Sequence, residues 1–306
     1  MLFDEYQAER NSGFYKSKGI KFEKEFKTFA YDTRFAEALA KDFHRIFKES
    51  EKEAVNVYEF GIGDGSLGVR FLMELRKAGE RLAEKTIYHF CDFSDELVKY
   101  AVKRADAFGF NADGIVYDAV EEPKFLREAD YVFANELYDD LPAKLLVRDG
   151  KKIMEVAIEN EEKKLVDFEG EDEIVNYMMK MPEKYHIPVN IAAKKHLDYC
   201  SKRSRYVDIF DYGFRNVSEI KEMPAEMWNN SVVREFEKQI TVDVNFDFIS
   251  KGKTETQLEF VERVLGGKFR EVELDRLRYL TEEEMKEQGI ESEFNEERGY
   301  YHLRVE

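Results

Sequence analysis

Residues 57–68 read VYEFGIGDGSLG. An apolar run carrying Val57, Tyr58 and Phe60 passes through one acid, Glu59, into Gly61, Gly63 and Gly65, and an amphipathic stretch follows. This pattern predicts a buried strand, a tight turn and a helix, because glycine lets the backbone turn sharply and approach a ligand where a Cβ would block both. Gly63, Gly65 and Gly68 also satisfy the GxGxxG spacing of a dinucleotide fold, so the stretch alone leaves more than one nucleoside ligand open.

Upstream, residues 1–54 read as a helical N-terminal cap, with Phe35, Leu39, Phe43 and Phe47 recurring on one helical face. Downstream, the first helix should run to about Ala83, followed by a strand over TIYHFCDF (86–93) and another helix. GIVYDAV (114–120) and DYVFANEL (130–137) read as two more buried strands. Strands alternating with amphipathic helices predict βαβ units and a parallel sheet, with residues 55–145 as its first half. KKIMEVAIEN (151–160) and KKLVDFEG (163–170) alternate polar and apolar residues and predict a β-hairpin outside that sheet. Residues 146–205 are therefore read as an inserted hairpin and helices near the substrate site. The sheet should resume within 206–306, with a fifth strand at RYVDIFDYG (205–213). A helix is expected at ETQLEFVERVLGG (255–267), and KFREVEL (268–274) and GYYHLRVE (299–306) should form a C-terminal hairpin.

With 306 residues, 43% of them hydrophobic, the chain can bury a full core. A formal charge of −17 argues against binding nucleic acid through phosphate neutralisation. The run Lys194, Lys195, Lys202, Arg203 and Arg205 reads as a solvated helix face rather than a basic patch. Cys91 and Cys200 belong to no CxxC pair or Cys/His cluster, so neither a disulfide framework nor a metal site is expected. The N-terminal stretch lacks an apolar signal region and no segment is apolar enough to span a membrane, so a soluble, unprocessed, cytoplasmic protein is expected.

Two further acids bear on the ligand. Asp92 closes the second predicted strand, and Asp118, followed by Ala119, closes the third. One carboxylate can accept from both hydroxyls of a ribose, and another from an adenine amino group. Glu59, at the tip of the first strand, favours the cationic ammonium and sulfonium of S-adenosylmethionine and would repel a dinucleotide pyrophosphate. The expected cofactor-binding set is Glu59, Gly61, Gly63, Gly65, Asp92, Asp118 and Ala119.

ANELYDDLPA (134–143), taken together with EFGIGDGSLG, resembles the MidA-like methyltransferases, a family that includes the mitochondrial complex I assembly methyltransferase. GFY (13–15), KEFKTFAYDTRFAEALA (24–40), IFDYGF (209–214) and ITVDVNF (240–246) extend the likeness. The chain departs from the family pattern at Lys24–Glu25, where Gly-Asp is usual before Phe26, and at Asn245, where Asp is common.

The resemblance implies a class I methyltransferase: a Rossmann-like α/β parallel sheet with a C-terminal antiparallel hairpin, a helical N-terminal cap and an inserted substrate region. It also implies methyl transfer from S-adenosylmethionine, with a protein arginine as acceptor. Ligands of open α/β sheets sit beyond the carboxyl ends of the strands, so the loop after the fourth strand should face the donor methyl. On that reading Glu136 clamps a guanidinium. Asp139 either assists or caps a helix beginning at LPAKLL (141–146), and Asn135 orients the clamp or the cofactor. Other readings are methyl transfer to another nucleophile or small molecule, a non-catalytic S-adenosylmethionine-binding assembly factor, and, last, a nicotinamide dehydrogenase.

Overall fold

The computed structural model describes residues 1–18, 33–126, 128–267 and 299–306. Two helices come first, α1 (Phe3–Lys18) and α2 (Thr33–Phe47). They are followed by β1 (Val55–Phe60), α3 (Ser66–Ala78), α4 (Glu80–Lys85), β2 (Thr86–Asp92), α5 (Asp95–Ala107), β3 (Ala112–Val116) and β4 (Ala129–Asn135). Strands β5 (Lys144–Asp149), β6 (Lys152–Glu159) and β7 (Glu162–Asp167) lead into α6 (Asp172–Met178), β8 (Ile187–Val189), α7 (Ile191–Ser201) and β9 (Ser204–Phe214). The remainder comprises α8 (Val217–Lys221), α9 (Ala225–Ser231), β10 (Val233–Phe236), β11 (Gln239–Val242), β12 (Val244–Asn245), α10 (Phe246–Ile249), β13 (Lys253–Thr256), α11 (Gln257–Leu265) and β14 (Tyr300–Val305).

The main sheet runs β13-β14-β9-β4-β1-β2-β3, with β12 also pairing β9. Neighbours from β9 to β3 are parallel, whereas β14 is antiparallel to both β9 and β13. The last strand is thus inserted between β9 and β13. This is the class I methyltransferase arrangement, a mostly parallel α/β sheet ending in an antiparallel pair. Among the described residues β14 pairs antiparallel with β9 and β13; the KFREVEL strand expected to pair with it lies outside the described residues.

Helix α2 buries its predicted stripe, Phe35, Leu39, Phe43 and Phe47, against the sheet, and Phe43 meets Phe71 and Tyr131 edge-on, both at 5.4 Å between ring centroids. The helix expected to reach Ala83 breaks at Gly79 into α3 and α4. Strand β3 departs from the reading as a buried strand. It ends at Val116, is largely exposed and forms the edge of the sheet, because only β2 pairs with it.

A second, four-stranded antiparallel sheet runs β7-β6-β5-β8. Its β6–β7 hairpin turns at Asn160 and Glu161, both with positive φ (51° and 66°), as a type I′ turn requires. The expected helix at LPAKLL is absent: Lys144–Asp149 is β5, hydrogen-bonded between β6 and β8, and sheet pairing overrides the local helical preference of a six-residue stretch. Helix α1 packs against β5, β6 and β11 and so ties this sheet to the separate two-stranded β10–β11 ribbon. On α7, Lys194 pairs with Asp198 at 3.5 Å, and just past its end the Arg203 guanidinium lies 3.6 Å from the Tyr199 ring centroid. No described helix is long and apolar enough to cross a membrane.

Candidate active site

Strand order reverses between β1 and β4, and a cleft of about 720 Å³ opens beyond their carboxyl ends. Such a switch point is where open α/β sheets hold ligands, since the loops to either side diverge there. The turn after β1 forms one wall. Gly61, Gly63 and Gly65 have φ of +70°, +54° and +74°, a region that side chains with a Cβ rarely adopt. Gly65 N–H donates to Ile62 O at 2.8 Å and closes the turn. Asp64 then accepts from Ser66 N–H (2.9 Å) and from Arg104 of α5 (3.3 Å), which pins the turn to the next helix.

Under this turn lies Glu59, only 2% exposed, whose Oε2 accepts from the Tyr88 hydroxyl at 2.7 Å. Burial pushes its pKa up to about 8; Tyr88 partly opposes the shift and Asp64 and Asp92 add to it. Space here is tight: a Cβ on Gly68 would lie 2.4 Å from Glu59 Oε2 and 2.6 Å from the Tyr88 hydroxyl. Gly68 therefore serves close packing, whereas nothing of the protein beyond its chain neighbours lies within 4 Å of where a Cβ on Gly63 would be. An acid beneath a glycine turn suits a cationic ligand and repels a pyrophosphate.

Asp92 ends β2 with its Oδ1 accepting from Ser94 N–H at 2.9 Å. Burial raises it to about 6, against backbone donors that include Ile62 and Gly63 of the glycine turn. Asp118 does not close β3 as expected. It sits two residues past the strand end, exposed, on the cleft wall with Ala119 and Val120, and accepts from Val120 N–H at 3.1 Å. The early end of this edge strand puts Asp118 in a loop that borders the cleft, tied to β2 by Tyr117 N–H donating to Asp92 O at 2.8 Å.

The opposite wall follows β4. Glu136 is left-handed, with φ +51°, and its N–H donates to Phe210 O at 2.9 Å. Asn135 Nδ2 (3.2 Å) and the Tyr300 hydroxyl (3.1 Å) both donate to Glu136 Oε1, fixing the carboxylate. Asp139 cannot cap a helix, because none follows. Its backbone N–H donates to Asp211 Oδ2 at 3.2 Å, its carboxylate lies 3.8 Å from Arg234 Nη2, and burial raises it to about 6 against that guanidinium.

A model of the family described as "Putative S-adenosyl-L-methionine-dependent methyltransferase" matches residues 38–260. The chain belongs to this family. The methyltransferase also shares its fold with a Burkholderia thailandensis protein crystallised with S-adenosyl-homocysteine. That comparison has 18% identity and a TM-score of 0.71, and covers 99% of this chain and 87% of the other. An uncharacterized Burkholderia thailandensis protein in native form gives 17% identity and a TM-score of 0.70, over 99% of this chain and 86% of the other. No curated protein matches the chain. S-adenosylmethionine is accordingly the cofactor of this methyltransferase.

Several cleft residues of the methyltransferase escaped the sequence reading. Tyr15 on α1, Asp140 in the loop after β4, Tyr212 on β9, Arg234 on β10 and Gln239 on β11 all line the cleft. Tyr15 meets the Phe93 ring edge-on at 5.6 Å, beside Asp92. The GFY, ANELYDDLPA, IFDYGF and ITVDVNF stretches carry Tyr15, Asp140, Tyr212 and the end of β11 as family matches, without assigning them a place in the site. Asn245, a departure from the family pattern, donates to Pro188 O at 2.9 Å and accepts from Phe248 N–H, holding β8 and α10 together. Lys24, Glu25 and Phe26 lie outside the described residues. Both cysteines are free and buried.

Proposed function

We propose that this methyltransferase transfers a methyl group to an arginine side chain of a protein, with Glu136 clamping the guanidinium. The observation that carries the reading is the conformation of Glu136. A non-glycine residue is held left-handed at the end of a central strand, with its carboxylate fixed by Asn135 and Tyr300 on the cleft wall. Such strain persists where surrounding structure over-determines it, commonly at functional sites. A fixed carboxylate can accept two guanidinium N–H groups and aim the remaining nitrogen at the methyl carbon, about 3–3.5 Å away in a productive pose.

The surroundings suit such an acceptor. The guanidinium of Arg234 already rests at this end of the cleft, 4.8 Å from the Tyr212 ring centroid and 3.0 Å from Asp243. On the donor side, Glu59 would face the cationic methionine moiety, Gly63 would give it room, Gly61 and Gly65 shape the turn against Leu137 and Ala101, Asp92 would accept from the ribose hydroxyls, and Asp118 with Ala119 would border the adenine. Glu136→Gln keeps the side chain's shape and removes its charge. It should bind S-adenosylmethionine as the parent does and lose most methyl transfer to an arginine-containing protein; undiminished transfer would remove the clamp.

A further inference from the structure

Methyl transfer leaves a proton to be placed. As the acceptor nitrogen bonds to the methyl carbon, the carbon–sulfur bond breaks and its electron pair stays on sulfur, giving neutral S-adenosylhomocysteine. The nitrogen must then lose one proton. Glu136, Asp139 and Asp140 follow one another along the loop after β4 at the acceptor end of the cleft, where the more exposed Glu235 of β10 also lines it. On the reading above, on which this inference rests, Glu136 is occupied as the clamp, and Asp139 lies against Arg234.

We propose that Asp140, held by Tyr15 and Gln239, takes the proton that the acceptor nitrogen loses. The Tyr15 hydroxyl donates to Asp140 Oδ2, Gln239 Nε2 donates to Oδ1 at 2.9 Å and Oδ2 at 3.1 Å, and Asn11 Nδ2 lies 3.3 Å from Oδ1. All three donors are neutral, so they orient the carboxylate without tying its charge to a fixed cation. Gln239 also donates to the Tyr15 hydroxyl at 2.8 Å, which locks the trio. Tyr15 spans the cleft from Phe93 at the donor end to Asp140 at the acceptor end.

The charged and titratable groups around Asp140 are Tyr15 from α1, Asp92 at the end of β2, Glu136 and Asp139 from its own loop, Asp211 and Tyr212 from β9, and Arg234 from β10. Burial, then Asp139, push the Asp140 carboxyl well above the usual carboxylate range, while Tyr15 and Gln239 pull it back. A carboxylate held in place beside the acceptor can act as a general base in the transition state.

The test is single-turnover transfer from S-adenosylmethionine to whichever acceptor the parent protein labels, followed across pH, with a thermal melt of each variant. Asp140→Asn should bind S-adenosylmethionine within about threefold of the parent and lose about 100-fold or more in transfer rate, with Asp140→Glu recovering part of it. Tyr15→Phe removes a donor to the carboxylate, so the acidic limb of its pH–rate profile should move to higher pH. Transfer by folded Asp140→Asn within threefold of the parent, or an unmoved acidic limb in Tyr15→Phe, would overturn the proposal. Labelling of a non-arginine nucleophile by the parent would overturn the arginine reading alone; labelling of no acceptor would overturn both.

Discussion

The Tyr88 hydroxyl on β2 donates to Glu59 Oε2 on β1 at 2.7 Å, so the acid beneath the glycine turn is held by a neutral partner. Its charge is left for a ligand to compensate. With a pKa raised by burial to about 8, Glu59 binds a proton in the empty cleft at neutral pH, and a cationic ligand must displace that proton. Affinity for S-adenosylmethionine should therefore fall as pH drops from 7 to 5, approaching tenfold per pH unit. Calorimetry across this range should show the slope in the parent and lose it in Glu59→Gln. A raised carboxyl pKa also means that the folded state loses stability as pH rises from the unfolded value towards 8. Unliganded Glu59→Gln should consequently melt several degrees above the parent at pH 9, even though it binds S-adenosylmethionine more weakly.

Gly63 and Gly68 should fail differently. Gly63→Val places a side chain where the protein leaves space, at φ +54°, so it should abolish S-adenosylmethionine binding in a folded protein weakened by about 1–2 kcal/mol of backbone strain. Gly68→Ala drives a Cβ into Glu59, Tyr88 and Phe90, all within 2.6 Å, and should destabilise by about 1–3 kcal/mol. Thermal melts paired with titrations separate the two; unchanged affinity in folded Gly63→Val would move the cofactor away from this turn.

Asp92→Ala removes a charged acceptor for two hydroxyls and should weaken S-adenosylmethionine binding by about 1.5–3 kcal/mol. Asp118→Ala should lose less, because Asp118 is exposed and its carboxylate competes with water. Equal losses at the two positions, measured by titration, would contradict this assignment.

The proposed donor half of the site is legible in the sequence because it is local. Each strand and the turn that follows it bring a residue to the cleft, so order along the chain becomes order in space, as for Glu59, Gly61, Gly63 and Asp92, whereas Gly65 packs against Ala101 of α5. The acceptor half was legible only where ANELYDDLPA carried it. Tyr15, Tyr212, Arg234, Gln239 and Tyr300 arrive from five separate elements, and no periodicity announces that they converge. LPAKLL misled for a related reason: Pro142 followed by four helix-compatible residues suits a helix start, but long-range pairing with β6 and β8 makes Lys144–Asp149 a strand. The position of Asp118 depended on where an edge strand stops, which a single neighbouring strand defines weakly.

A buried ion cluster on β9, β13 and β14 should show in stability. His302 lies 2.9 Å from Asp208 and 3.1 Å from Glu255, and Arg304 Nε donates to Asp208 at 2.7 Å. Burial alone would lower the His302 pKa, but Asp208 and Glu255 raise it above 6.5. Its contribution is thus fully present below the unfolded pKa and is lost as pH rises through the folded one. Glu255, lowered to about 2 by His302 and Arg263 against its burial, contributes above its unfolded pKa and loses that contribution as pH falls towards 2. His302→Gln should be less stable than the parent by about 3–5 kcal/mol at pH 6, with the deficit narrowing as pH rises. Denaturant titrations at pH 6 and pH 9 measure this; an equal deficit at both would assign His302 a packing role alone.

The most direct test of methyl transfer to protein arginine is to incubate the protein with methyl-labelled S-adenosylmethionine and an extract of cells lacking it, and then to locate the label by mass spectrometry. The account predicts label on the guanidinium nitrogen of an arginine in a discrete protein, reduced to near background by Glu136→Gln. Label recovered in a small metabolite, or on a protein residue other than arginine, would contradict it.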